Sequence, residues 1–175
     1  MRNLSNRTSI RLKTAKTHIM PIYQIKFVRE KVSDHPAPQI INSKIAVDYL
    51  ISKCFTADEL WREKCFALYV DRQRNIVGHL LIGVGGADNV TFDKKLILKG
   101  AFESLASGII VVHNHPSGIP LPSKTDIKQT EDIKKACNVL EIEFLDHIIL
   151  GQKEYFSFAD EVKKPYSKTQ KKFFV

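Results

Sequence analysis

Four β-branched residues in a row, Ile109-Ile110-Val111-Val112, follow Gly108 and run directly into His113-Asn114-His115. A run without polar alternation cannot leave either face in water, so it reads as a strand covered on both sides, in the interior of a sheet. The pattern then breaks. Pro116, Gly118, Pro120 and Pro122 punctuate a loop, and beyond it Ile133, Ala136, Cys137 and Leu140 recur at helical spacing. A buried strand, a stiffened loop and an amphipathic helix in that order predict a layered α/β domain with helices packed on the faces of a sheet.

The rest of the chain agrees with that frame. Val47, Leu50, Ile51 and Cys54 mark one helical face, with Asn42 or Ser43 as the cap. The runs CFALYVD and IVGHLLIG, joined by DRQRN, predict a hairpin of two buried strands. Asp93 is placed to cap a helix in which Ile97, Ala101 and Leu105 are spaced by four. Residues 141–150 read as a strand, 151–154 as a tight turn and 155–159 as a last short strand. Residues 56–61 suggest a short helix, and the alternation of Tyr23, Ile25 and Phe27 suits an edge strand. The order α, β, β, α, β, α, β, β gives a mixed sheet of the α+β kind. With 43% hydrophobic residues in 175, the chain fits one domain over residues 41–162. A basic extension (1–40) precedes it and a basic tail (163–175) follows.

The net charge of +8 is concentrated at the ends, in Arg2, Arg7, Arg11, Lys13 and Lys16, and in Lys163, Lys164, Lys168, Lys171 and Lys172. Such ends can hold nucleic acid electrostatically or can simply be solvated. No stretch approaches the length of apolar sequence that spans a bilayer, and the N-terminus lacks the apolar core of a signal peptide. A cytoplasmic protein without a membrane partner is expected. Cys54, Cys65 and Cys137 are odd in number and form no CxxC pair. Buried free thiols are expected rather than a zinc knuckle.

The chemistry gathers at the end of the β-branched run. Residues i and i+2 of a strand point the same way, so His113 and His115 converge where the strand leaves the sheet. Imidazole suits zinc, and a catalytic zinc takes three protein ligands and keeps one position for water. Asp126 is the natural third ligand, returned by the loop, with Ser123 three residues before it. Ser-x-x-Asp ahead of an apolar-periodic segment is equally a helix start, close to a capping box. The two readings are compatible, because an aspartate in the first helical turn is well fixed for ligation. A hydrolytic site also needs a base. Glu63, His79, His147, His18 and His35 are candidates, and His147, inside an apolar strand, reads as a satisfied core histidine.

The pattern His113-x-His115, seven residues, Ser123, two residues, Asp126 resembles the RadC family, a branch of the JAB/MPN+ fold carrying the JAMM zinc motif. The segment with Leu145, Asp146, His147, Gly151, Tyr155, Ser157, Phe158 and Ala159 is also similar to that family. So is EKCFALYVD, whose first residue, Glu63, stands at the JAMM glutamate. The likeness covers roughly residues 40 to 162. It implies a JAB/MPN-like, cytidine-deaminase-like three-layer α-β-α architecture. It also implies Zn²⁺ on His113, His115 and Asp126, Glu63 as general base, and Ser123 helping to hold an oxyanion. The implied activity is zinc-dependent hydrolysis of a peptide or isopeptide bond in a protein or peptide substrate. Residues 1–40 do not read like the helix-hairpin-helix region common in RadC proteins, and NVTFDKKLIL differs from the helix start usual there. A DNA-associated module, in line with the family's DNA-repair association, and a metal-dependent nuclease are the alternatives.

Overall fold

The computed structural model describes residues 38–55, 60–85 and 92–165. The expected edge strand at residues 23–27, most of the short helix at 56–61 and the outer parts of both basic ends lie outside the described residues. The elements are α1 (Ser43–Lys53), β1 (Lys64–Val70), β2 (Ile76–Val84), α2 (Lys94–Ser104), β3 (Gly108–Asn114), α3 (Lys124–Val139), β4 (Glu143–Leu150), β5 (Glu154–Ser157) and β6 (Val162–Pro165). The strands form one mixed sheet in the order β2-β1-β3-β4-β5-β6. Among the described strands only the neighbours β3 and β4 pair in parallel, and α3 is the crossover between them. Among the described residues no helix is long and apolar enough to cross a membrane.

Strand parity sorts the core into two layers. Phe66, Leu68 and Val70 of β1, Ile110 and Val112 of β3, and Ile148 and Leu150 of β4 pack with Ala46, Val47, Leu50 and Ile51 of α1. The alternate residues Cys65, Ala67, Tyr69, Ile109 and Val111 pack with Ile97 and Ala101 of α2 and Ile133 and Cys137 of α3. Helices therefore cover both faces of a mixed sheet, the expected α-β-α arrangement. Every residue of β1 and β3 is buried. At about 1.5–3 kcal/mol for each large apolar side chain, these two strands carry much of the folding drive.

Local signals account for the helix starts. Asn42 accepts from the Ile45 N–H, Asp93 from the Lys95 and Leu96 N–H groups, and Ser123 with Asp126 closes a full capping box on α3. Three details depart from the sequence reading. The second hairpin strand, β2, is the outermost of the named strands, with Val77, Leu81 and Val84 exposed. Leu105, spaced to join the core, instead ends α2 in a left-handed conformation (φ 53°) and is 83% exposed. The first residues of the expected polar tail form β6, where Lys163 pairs with Glu154 and Lys164 with Asp160.

Candidate metal centre

His113 lies in the layer under α3, on the face opposite Val112, and is fully buried. Its Nε2 atom is the hub of the site. The Nε2 atom of His115 is 2.9 Å away, Asp126 Oδ1 3.4 Å and Glu63 Oε1 3.8 Å. His115 Nε2 lies 3.6 Å from Asp126 Oδ2. All four residues singled out as ligands or base thus meet at one end of the sheet.

Each is held there by a separate device. The His115 backbone donates to the Leu150 carbonyl, and its Nδ1 faces the Ile119 carbonyl at 2.8 Å. That loop is shaped by Gly118, whose φ of +76° suits a residue without Cβ, and by Gly151, where a Cβ would lie 2.6 Å from the Gly118 oxygen. Asp126 Oδ2 accepts from the Ser123 N–H (2.7 Å) and hydroxyl (2.6 Å). This leaves Oδ1 turned to His113. The Ser123 hydroxyl is committed to Asp126, so reaching an oxyanion requires that bond to break. Glu63 precedes β1, and its carbonyl accepts from the Gly85 N–H.

Asn114, between the two histidines, points to neither. Its Oδ1 accepts from the Lys64 N–H (2.8 Å), and its Nδ2 donates to the carbonyls of Leu60 (3.2 Å) and Arg62 (2.9 Å). It clamps the main chain on both sides of Glu63. A polar residue inside a buried strand was the available sequence signal. His147, read as a satisfied core histidine, is satisfied by the site itself. Its Nε2 is 2.9 Å from His113 Nδ1 and its Nδ1 is 2.5 Å from the Thr130 hydroxyl. Thr130 stands one helical turn after Asp126 on the buried stripe of α3. His79, by contrast, bonds Tyr49 and does not join the cluster.

The electrostatics favour a cation. Burial, with the neighbouring His147, holds His113 well below the ordinary imidazole value, so it is neutral. Burial likewise brings His147 down to about 3. Burial pushes the Asp126 carboxyl up, but the hydrogen bonds of His115 and Ser123 and the nearby His113 together hold it well below the carboxylate range. The Cys65 thiol, pushed well up by burial, stays protonated. All three cysteines are free.

Glu63, His113 and His115 form a group whose ligand atoms lie within 4.8 Å of one another, close enough to hold a metal ion. The donor chemistry fits one. The Ile119 carbonyl can only accept, so His115 carries a proton on Nδ1, and its Nε2, set between His113 and the Asp126 carboxylate, is the nitrogen where either a second proton or a cation would sit. Two ring nitrogens 2.9 Å apart need either a shared proton or a shared cation between them.

Comparison with known sequences gives the family. A family model described as the RadC-like JAB domain matches residues 40–163. The chain belongs to the RadC-like JAB domain family. Among its curated relatives, a UPF0758 protein of Aquifex aeolicus is 43% identical over 100 residues, 57% of this chain and 43% of the relative. A UPF0758 protein of Lactococcus lactis is 37% identical over 123 residues, 70% of this chain and 53% of the relative. The chain spans about half the length of the curated relatives it matches.

Proposed function

We propose that this domain is a zinc-dependent hydrolase of the JAMM type, acting on a peptide or isopeptide bond. The observation that supports it is the convergence of Glu63, His115 and Asp126 within 3.8 Å of one neutral, buried imidazole nitrogen. His113, His115 and Asp126 would hold the ion, and Ser123 keeps the Asp126 carboxylate turned toward the two histidines. When bound, zinc supplies Lewis acidity, lowering the pKa of water from about 15.7 to about 7.

The protein groups do the rest. Glu63 accepts a proton from the attacking water and returns it to the departing amine. Its main chain is held by Asn114 on both sides and by the Gly85 N–H, which sets where its carboxylate enters the site. Ser123 holds Asp126, and the apolar floor of β1 and β3 excludes bulk water from beneath the site.

Metal titration of the stripped protein tests the reading first. Roughly one equivalent of zinc is expected, with anomalous scattering at the zinc edge locating it between the two histidines. Uptake of only a small fraction of an equivalent contradicts the proposal. Glu63→Gln is expected to keep the zinc and to stop the release of new amino termini from a mixed protein substrate. Equal hydrolysis by both proteins removes Glu63 from the role of base.

A further inference from the structure

We propose that Thr130 and His147 act as a positioning relay that dictates which nitrogen of His113 is left bare for a metal. The inference rests on the metal site proposed above. The derivation starts from a group that has no choice. The main-chain carbonyl of Asp126 can only accept, so the Thr130 hydroxyl, 2.6 Å away, gives its proton there. Toward His147 the Thr130 oxygen can then only accept. That places the His147 proton on Nδ1.

A neutral His147 with its proton on Nδ1 presents a lone pair at Nε2. This lone pair faces His113 Nδ1 at 2.9 Å, and only a proton on that Nδ1 satisfies the contact. His113 is thereby set as the Nδ1–H tautomer with a bare Nε2, the atom at the hub of Glu63, His115 and Asp126. Both rings are fully buried, which disfavours a second proton on either.

The surroundings hold the relay rigid. In the parallel ladder Val111 pairs with His147, so His113 and His147 emerge on the same face one step apart. Phe158 stacks on His147 with centroids 4.9 Å apart and planes 3° apart. Phe92 meets the His147 ring edge-on at 5.3 Å and the His113 ring at 5.1 Å. Neither imidazole has room to turn over. The circuit also closes on one residue. The backbone of Asp126 orients Thr130, and its carboxylate meets His113 Nε2 at 3.4 Å. Helix α3 thus positions one ligand and fixes the tautomer of another, as partners behind metal-binding histidines do elsewhere.

Thr130→Val removes the hydroxyl at nearly constant shape, and Thr130→Ser restores it. Long-range ¹⁵N–¹H correlation of the metal-free proteins reads the tautomers directly, and zinc titration reads affinity. Wild type and Thr130→Ser are expected to carry the His113 proton on Nδ1 and to bind zinc alike. Thr130→Val is expected to move a measurable share of that proton to Nε2 and to weaken zinc about 10- to 100-fold. A wild-type proton on Nε2 overturns the relay. So does a Thr130→Val protein with an unchanged tautomer, whether or not its zinc affinity falls. Absence of zinc uptake by wild type would end the proposed function, while the metal-free tautomers would still decide the relay.

Discussion

Asn114 offers the sharpest quantitative check on how this site is built. It is 2% exposed, and its amide makes three hydrogen bonds to the main chain at Leu60, Arg62 and Lys64. At about 1 kcal/mol net for each bond, Asn114→Ala should lose about 3 kcal/mol of stability. For a chain of this size that lowers the melting temperature by about 6–12 °C. The site histidines do not depend on this amide, so zinc affinity should stay close to wild type. Glu63 does depend on it. Displacement by an ångström is expected to cost about 100-fold in hydrolytic rate. Asn114→Asp sharpens the test, because it keeps the acceptor for Lys64 but turns a carboxylate toward two carbonyl oxygens. It should be at least as unstable as the alanine variant. Urea denaturation at constant m-value measures both. A loss below about 1 kcal/mol for Asn114→Ala would refute the clamp.

Other perturbations probe other parts of the molecule. Asp126→Ala removes both a proposed ligand and half of the capping box, so zinc titration should show weakened binding and melting should show about 1 kcal/mol lost from α3; undiminished zinc affinity would take Asp126 out of the ligand set. Burial raises the Asp146 carboxyl to about 6, against the hydrogen bonds from Ser157, Ala159 and the His147 backbone. The folded protein therefore retains a proton that the unfolded chain releases near 3.8. Stability from this group is complete below that value and is lost as pH rises through about 6, by about 3 kcal/mol at most. The stability difference between wild type and Asp146→Asn should fall across that window, and a flat difference would contradict the assignment. Gly100→Ala is a test of sign. Alanine usually stabilises a helix by about 1 kcal/mol over glycine, but here its Cβ would lie 2.2 Å from the Tyr69 hydroxyl, which is held by the Ile97 carbonyl. A net loss of about 1–3 kcal/mol is expected on denaturation, and a gain would show that Tyr69 yields freely.

Much of this domain was legible in one dimension because the signals were local. The unbroken run at Ile109–Val112 required cover on both faces, and the sheet places β3 between β1 and β4. Ser123 and Asp126 announced a helix start and formed one. The i, i+2 spacing of His113 and His115 was enough to predict convergence. The resemblance to RadC proteins pointed to Glu63, and the fold brings it to the same end of the sheet. Leu105 misled because its spacing by four continued past the point where α2 actually stops.

What the sequence determined, then, was the period of each segment and the chemistry at the end of β3. Tertiary structure decided which distant groups complete that chemistry. His147 meets His113 across 34 positions, and Asn114 reaches Leu60 across 54. Such pairs follow from strand order and ladder register, which arise only when non-adjacent strands assemble. Hydrophobic period records which face of an element is buried, but not which neighbour will lie against it.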